Sequence, residues 1–176
     1  GTWAQRARPE ELRWSTARGV PLEVMVALAN ELDADPWFCI PHLADDNYVT
    51  QFATYVRDHL EAGRKAWVEH SNEVWNLGFA QAVYAQQRGV ALNLSSNAYE
   101  AQLRYHSLRS VQIFNLCTAA FGGSNRLVRV LAAQAVNPWT GTTVADFQNA
   151  WQSADALATA PYIGPLVSTS NAVQFL

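Results

Sequence analysis

The chain has 176 residues, of which 49% are apolar and 15% charged, and a formal net charge of −3. These proportions belong to one globular domain with a packed core and exclude a disordered tail. An acidic balance without a Lys/Arg block excludes the phosphate-neutralising surface that nucleic acid requires, and no apolar run reaches the roughly 18 residues of a membrane span.

In chain order, the opening GTWAQRARPEELRW lacks the apolar stretch of a signal peptide. The segment 21–34 places Val24, Leu28 and Leu32 at helical spacing behind Pro21, which predicts a helix. PWFCIPH, 36–42, is a short apolar strand. Residues 45–63 bring Tyr48, Phe52, Tyr55, Val56 and Leu60 to one face, with acids at the start and Gly63 as a stop, which predicts a second helix. Asp45 and Asp46 at its head read as a cap; a metal or catalytic-dyad role is the weaker alternative. A strand follows over 65–73, then helices over 78–89 and 97–123, a strand over 126–134, a helix over 143–154 and a strand over 156–164.

Strands alternating with helical patterns of this length predict parallel pairing through right-handed crossovers, and strands apolar along their length predict burial on both faces. The class is α/β, either a piece of a (β/α) barrel or a doubly wound sheet. The sequence CIPHLADD has no glycine-rich turn after the first strand, which argues against a dinucleotide-binding sheet. His42, Asn72 with Glu73, Gln134 and Tyr162 each fall at or just after the end of a strand. A parallel barrel builds its active site from that face.

Cys39 and Cys117 lie in apolar surroundings without metal-ligand spacing and read as buried free thiols. No metal ion and no cofactor is expected. Seven tryptophans is a high number, and Trp37, Trp75 and Trp139 stand beside turn residues. A tryptophan there either packs or offers a flat apolar face to a sugar ring.

The stretch SNEVWN, in register with His42 and Tyr162, resembles the Asn-Glu signature of clan A glycoside hydrolases, the cellulase-like (β/α)8-barrel family. The resemblance covers residues 20–164 and implies barrel strands three to six, so that residues 1–176 form a single partial barrel domain of about half a barrel. It implies retaining hydrolysis of a β-linked polysaccharide or oligosaccharide, with Glu73 as catalytic acid/base. Asn72 would bind the sugar 2-hydroxyl, Tyr162 would donate to the nucleophile, and His42 would hold the site or the sugar. Trp75 and Trp139 would stack on sugar rings. Export from the cell is implied too, with the signal peptide upstream.

One departure from the pattern is large. The family's nucleophile is a second carboxylate after strand seven, yet no Asp or Glu follows Asp155. The expectation is therefore a fragment, inactive alone, whose open sheet edges take either the remainder of the barrel or a second copy of the chain. The alternative is a non-catalytic carbohydrate-binding or structural protein on a barrel-like scaffold. Each residue also has a plainer role open to it. Glu73 would be a helix-terminal acid, Asn72 a helix cap, His42 a structural histidine, Tyr162 a seal at the barrel end, and Gln134 and Asn137 loop hydrogen-bonders.

Overall fold

Four strands, Trp37–Ile40 (β1), Ala66–His70 (β2), Leu127–Ala133 (β3) and Ala156–Thr159 (β4), pair in parallel in the order β1-β2-β3-β4. The computed structural model describes residues 1–160; residues 161–176, Tyr162 among them, lie outside the described residues. The helices are Leu22–Glu31 (α1), Asp46–His59 (α2), Ala80–Ala91 (α3), Ala98–Phe121 (α4) and Pro138–Asp146 (α5). The fold is mixed α/β, a four-stranded parallel sheet flanked by helices. Every strand's carboxyl end meets the same edge of the sheet, because all three pairings are parallel.

Period-two alternation sorts the strand side chains. Phe38, Ile40, Ala66, Val68 and Leu127 join one buried cluster with Leu22 and Val26 of α1, Phe52 and Val56 of α2, and Ile113 and Cys117 of α4. Full burial of an aliphatic or aromatic side chain of this size is worth roughly 1.5–3 kcal/mol. Trp37, Cys39, Trp67 and Glu69 alternate to the other face. There the Trp37 and Trp67 rings, register partners on β1 and β2, stack at 5.1 Å and 15°.

Polar groups fasten the helix ends to this layer. Asp45 caps α2, its side chain accepting from Tyr48 N at 2.7 Å, and Asp46 accepts from Arg109 of α4 at 2.7 Å. Arg126, just before β3, donates to the carbonyls of Arg57, Leu60, Glu61 and Arg64 around the end of α2. Gly122 ends α4 in the left-handed region, φ 72°, as a glycine stop should.

Three details of the sequence reading change. The face expected for α1 is the wrong one: Leu28 and Leu32 are exposed, and Leu22, Val26 and Ala29 are buried. That segment is apolar nearly all round, so its periodicity does not choose a face. The helix expected over 143–154 begins at Pro138, which sits in the first turn where its missing N–H is harmless. It ends by Asp146, because Gln148 and Asn149 take φ of 51° and 57° within the short 3₁₀ stretch that follows. Cys117 is buried as expected but Cys39 is exposed, since β1 turns it to the Trp37 face.

Candidate active-site edge

Beyond His70 the chain leaves β2 through a turn that carries both signature residues. Ser71 N donates to the Ile40 carbonyl at 2.8 Å, extending the ladder one step. Ser71 and Glu73 then adopt φ of 61° and 45°, left-handed values that a non-glycine residue takes at a cost of about 1–2 kcal/mol each. Neighbouring groups over-determine this shape. Gln81 Nε2 donates to the Asn72 carbonyl at 2.7 Å, and the buried Gln102 of α4 donates from Nε2 to the Val74 carbonyl at 2.6 Å. Asn76 N donates to the Glu73 carbonyl at 2.9 Å, and Asn76 Nδ2 reaches Glu73 Oε2 at 3.3 Å. Val74 and Trp75 anchor the turn by burying their side chains.

This arrangement removes the plainer roles of the signature pair. No helix starts at the turn: α3 begins at Ala80, with Phe79 as its N-cap residue. Glu73 is thus no first-turn acid of a helix, and the exposed Asn72 side chain caps none. The expected strand over 65–73 stops at His70, which places the pair in a turn beyond the strand end.

His42 stands two residues past β1, and its half-buried ring meets Tyr84 of α3 edge-on at 5.4 Å. Burial lowers its pKa below the usual imidazole value. It lines a groove of about 800 Å³ between the start of α2, α3 and α4, with Tyr84, Arg88, Tyr105 and Arg109. Gln134 follows β3 directly, and its N–H donates to Thr140 Oγ1 at 3.0 Å. Asn137 receives the same hydroxyl at its carbonyl, 2.8 Å, so both join the loop bonding that starts α5. Trp139 is 44% exposed beside Tyr99, ring centroids 6.0 Å apart, and keeps part of its side chain open to solvent. Trp75 does not. It is 6% exposed within the cluster of Leu103, Phe114, Leu131 and Val144, so the sugar-stacking role expected for it is corrected to core packing. Tyr162 lies outside the described residues.

Three titratable groups here went unread in the sequence. Glu69 is 7% exposed, accepts from Trp37 Nε1 at 3.0 Å, and has its pKa raised to about 7. Burial is the main cause, the charge of Glu73 adds to it, and the indole N–H opposes both. This carboxyl is partly protonated near neutral pH. Loss of water around its sulfur, and then the Glu69 charge, likewise raise the thiol of Cys39 to about 11, although its side chain keeps an exposed edge. On the opposite face, His70 and His106 of α4 are each 1% exposed, with Nδ1 atoms 3.2 Å apart. The legible signals were an acid inside an apolar strand and a histidine on the inward side of a long helix.

Among the described residues, no group of three or more His, Cys, Asp and Glu is arranged to hold a metal ion, and no helix is long and apolar enough to cross a membrane. No protein-family model, curated protein or solved structure matches the chain.

Proposed function

We propose that this chain is part of a retaining β-glycoside hydrolase, its four β/α units corresponding to strands three to six of a (β/α)8 barrel, with Glu73 as the acid/base. One observation carries the reading. Asn72 and Glu73 stand just past the carboxyl end of a strand in an all-parallel sheet, on a strained backbone that no helix start explains. Such strain gathers where a side chain is aimed for use. Support for the barrel comes from the strand order, which runs consecutively without the reversal of a doubly wound sheet.

In this mechanism Glu73 protonates the glycosidic oxygen as the bond to the anomeric carbon breaks. It then takes a proton from the water that releases the sugar. Asn72, exposed beside it, donates to the 2-hydroxyl, and Trp139 offers the exposed part of its side chain to a neighbouring sugar. Tyr162 keeps the expected role of donating to the nucleophile, and His42 that of holding the edge. The second carboxylate, about 5–5.5 Å from the acid in retaining enzymes, comes from sequence outside these 176 residues. A partner segment pairing with β1 or β4, the outer strands among the described residues, supplies it in this reading. An exported protein follows from the same reading.

The test uses the protein that carries both carboxylates. Glu73→Ala should cripple turnover of glycosides with poor leaving groups and spare glycosyl-enzyme formation from activated aryl glycosides. Azide, which needs no base, should then restore the second step and yield a β-glycosyl azide. Equal losses on both substrates without azide rescue would end the acid/base assignment. Carbohydrate binding without catalysis is the second reading, favoured by the exposed Trp139. Saccharide binding that survives in a protein with no turnover, and is lost on Trp139→Ala, would select it.

A further inference from the structure

We propose that His70 and His106 are positioning residues, a neutral imidazole pair that latches the Ser71–Glu73 turn to α4 and releases it when protonated. His70 is the residue immediately before the strained turn, and His106 lies in the middle of α4, 36 positions along the chain. Their ring planes lie within 15° of each other and meet edge to edge, centroids 5.3 Å apart and Nδ1···Nδ1 at 3.2 Å, both rings 1% exposed. At that distance one Nδ1 carries the hydrogen and the other accepts it, so the accepting ring is neutral, and full burial of the pair favours the neutral form of its partner as well. Each Nε2 is buried and without a hydrogen-bond partner among the described residues. A buried polar atom left unpaired costs about 1–3 kcal/mol. An apolar pair of the same shape would avoid that cost, so packing alone does not account for two histidines.

Acid acts on the pair in two steps. The first proton adds to the bare Nε2 of the donor ring and places a charge in a fully buried site. The second puts a hydrogen on both facing Nδ1 atoms, which removes the bond between β2 and α4. Burial is the largest opposition to protonation of His70, and the His106 backbone alone favours its charged form among the contributions to that ring. Arg109 of α4 and His42 of the β1–α2 connection add their fields to burial, and His106 adds its own to His70. Tyr105 of α4 packs edge-on to His70 at 6.5 Å, and Tyr84 of α3 packs on Tyr105. Glu69 on β2 and Cys39 on β1 alternate to the other face of the sheet. The Ala132 carbonyl on β3 favours the charged form of His106, but the geometry between them falls short of a hydrogen bond.

In the closed turn His106 is lowered from 6.5 to about 4 and His70 is well below 6.5, and an opening that admits water to the two rings moves both back toward the ordinary value. The closed form is therefore fully favoured above about pH 6.5 and loses its advantage as pH falls toward 4. For His106 alone the closed-to-open ratio changes by up to about 300-fold. The catalytic consequence rests on the proposed role of Glu73, while the latch itself is read without activity.

Imidazole nitrogen NMR and amide exchange on the 176-residue chain test it directly. Expected are two neutral rings at pH 6, one Nδ1–H between them, and loss of protection over residues 71–76 on acidification before the strands are exposed. Either ring titrating near 6.5 with the turn still protected, or a turn that opens only with the whole sheet, would overturn the proposal. His106→Gln keeps a hydrogen-bonding group but cannot titrate. It should hold the turn at neutral pH and shift its release to lower pH, whereas an unchanged release curve counts against the latch. Should that variant not fold, the wild-type titration decides alone. In the active protein the acid limb of kcat/KM should steepen with the turn release and move with His106→Gln. A protein without glycosidase activity would remove the role of Glu73 and leave the NMR outcome standing.

Discussion

Replacing Gly89 by alanine should destabilise the fold, against the ordinary helix preference. In an exposed helix interior the change is worth about 1 kcal/mol in favour of alanine. Gly89, however, is buried where α3 crosses α4, and an added Cβ would come closer than 3.0 Å to the carbonyl carbon and oxygen of Ala101, and within 3.1 Å of Gln102 N. All three are backbone atoms of a helix, which cannot rotate away as a side chain would. The helices must part instead, and overpacking of this kind costs typically 1–3 kcal/mol, more where the obstacle is rigid. The upper figure applies here, so the net loss is about 2 kcal/mol after the gain in propensity. That corresponds to a fall in Tm of about 4–8 °C for a domain of this length. The displaced segment includes Gln102, whose side chain holds the Val74 carbonyl, so protection of the Glu73 turn should fall with it. Urea unfolding measures the effect as a lower midpoint at constant slope. Gly63→Ala, which meets nothing within 4 Å, is the control and should be near neutral. A midpoint for Gly89→Ala equal to or above that of the parent would refute the backbone-contact argument.

The two tryptophans of the candidate site should separate cleanly in thermal melts. Trp75→Ala should cost about 3–5 kcal/mol because it empties a core position, and Trp139→Ala, on an exposed ring, should leave Tm nearly unchanged. Equal Tm shifts would contradict the burial difference. Glu69→Gln should act through pH. The folded carboxyl is raised to about 7 from an ordinary 4.5, so its contribution is present below about pH 4.5 and is lost as pH rises through 7. The neutral amide, still an acceptor for Trp37 Nε1, should therefore stabilise the fold at pH 8 by about 1–3 kcal/mol, reduced where water reaches the carboxyl, with little effect at pH 4. A gain that does not grow with pH would show that Glu69 is ionised when folded.

Local chemistry written in the chain determined the element order, the parallel class and the stops. Asp45 caps α2, Gly122 ends α4, and short apolar runs such as WFCI alternate with helical segments too long for hairpins, so parallel pairing was readable without a fold. The position of Asn72 and Glu73 at a strand's carboxyl end was legible for the same reason, since the strand's apolar run stops where the polar residues begin. Tertiary packing decided what local pattern left degenerate. The segment LEVMVALANE is apolar on almost every side, and only docking against α2 and the sheet buried Val26 and exposed Leu28. Trp75 and Trp139 look alike beside their turns, and the packed cluster around Phe114 and Leu131 claimed one of them. His70 and His106 carry no mutual signal across 36 positions, because a contact between a strand end and a helix middle depends on how the two elements cross. The raised pKa of Glu69 has the same origin: burial by neighbours distant in sequence, a property of the assembled sheet and not of the strand that bears it.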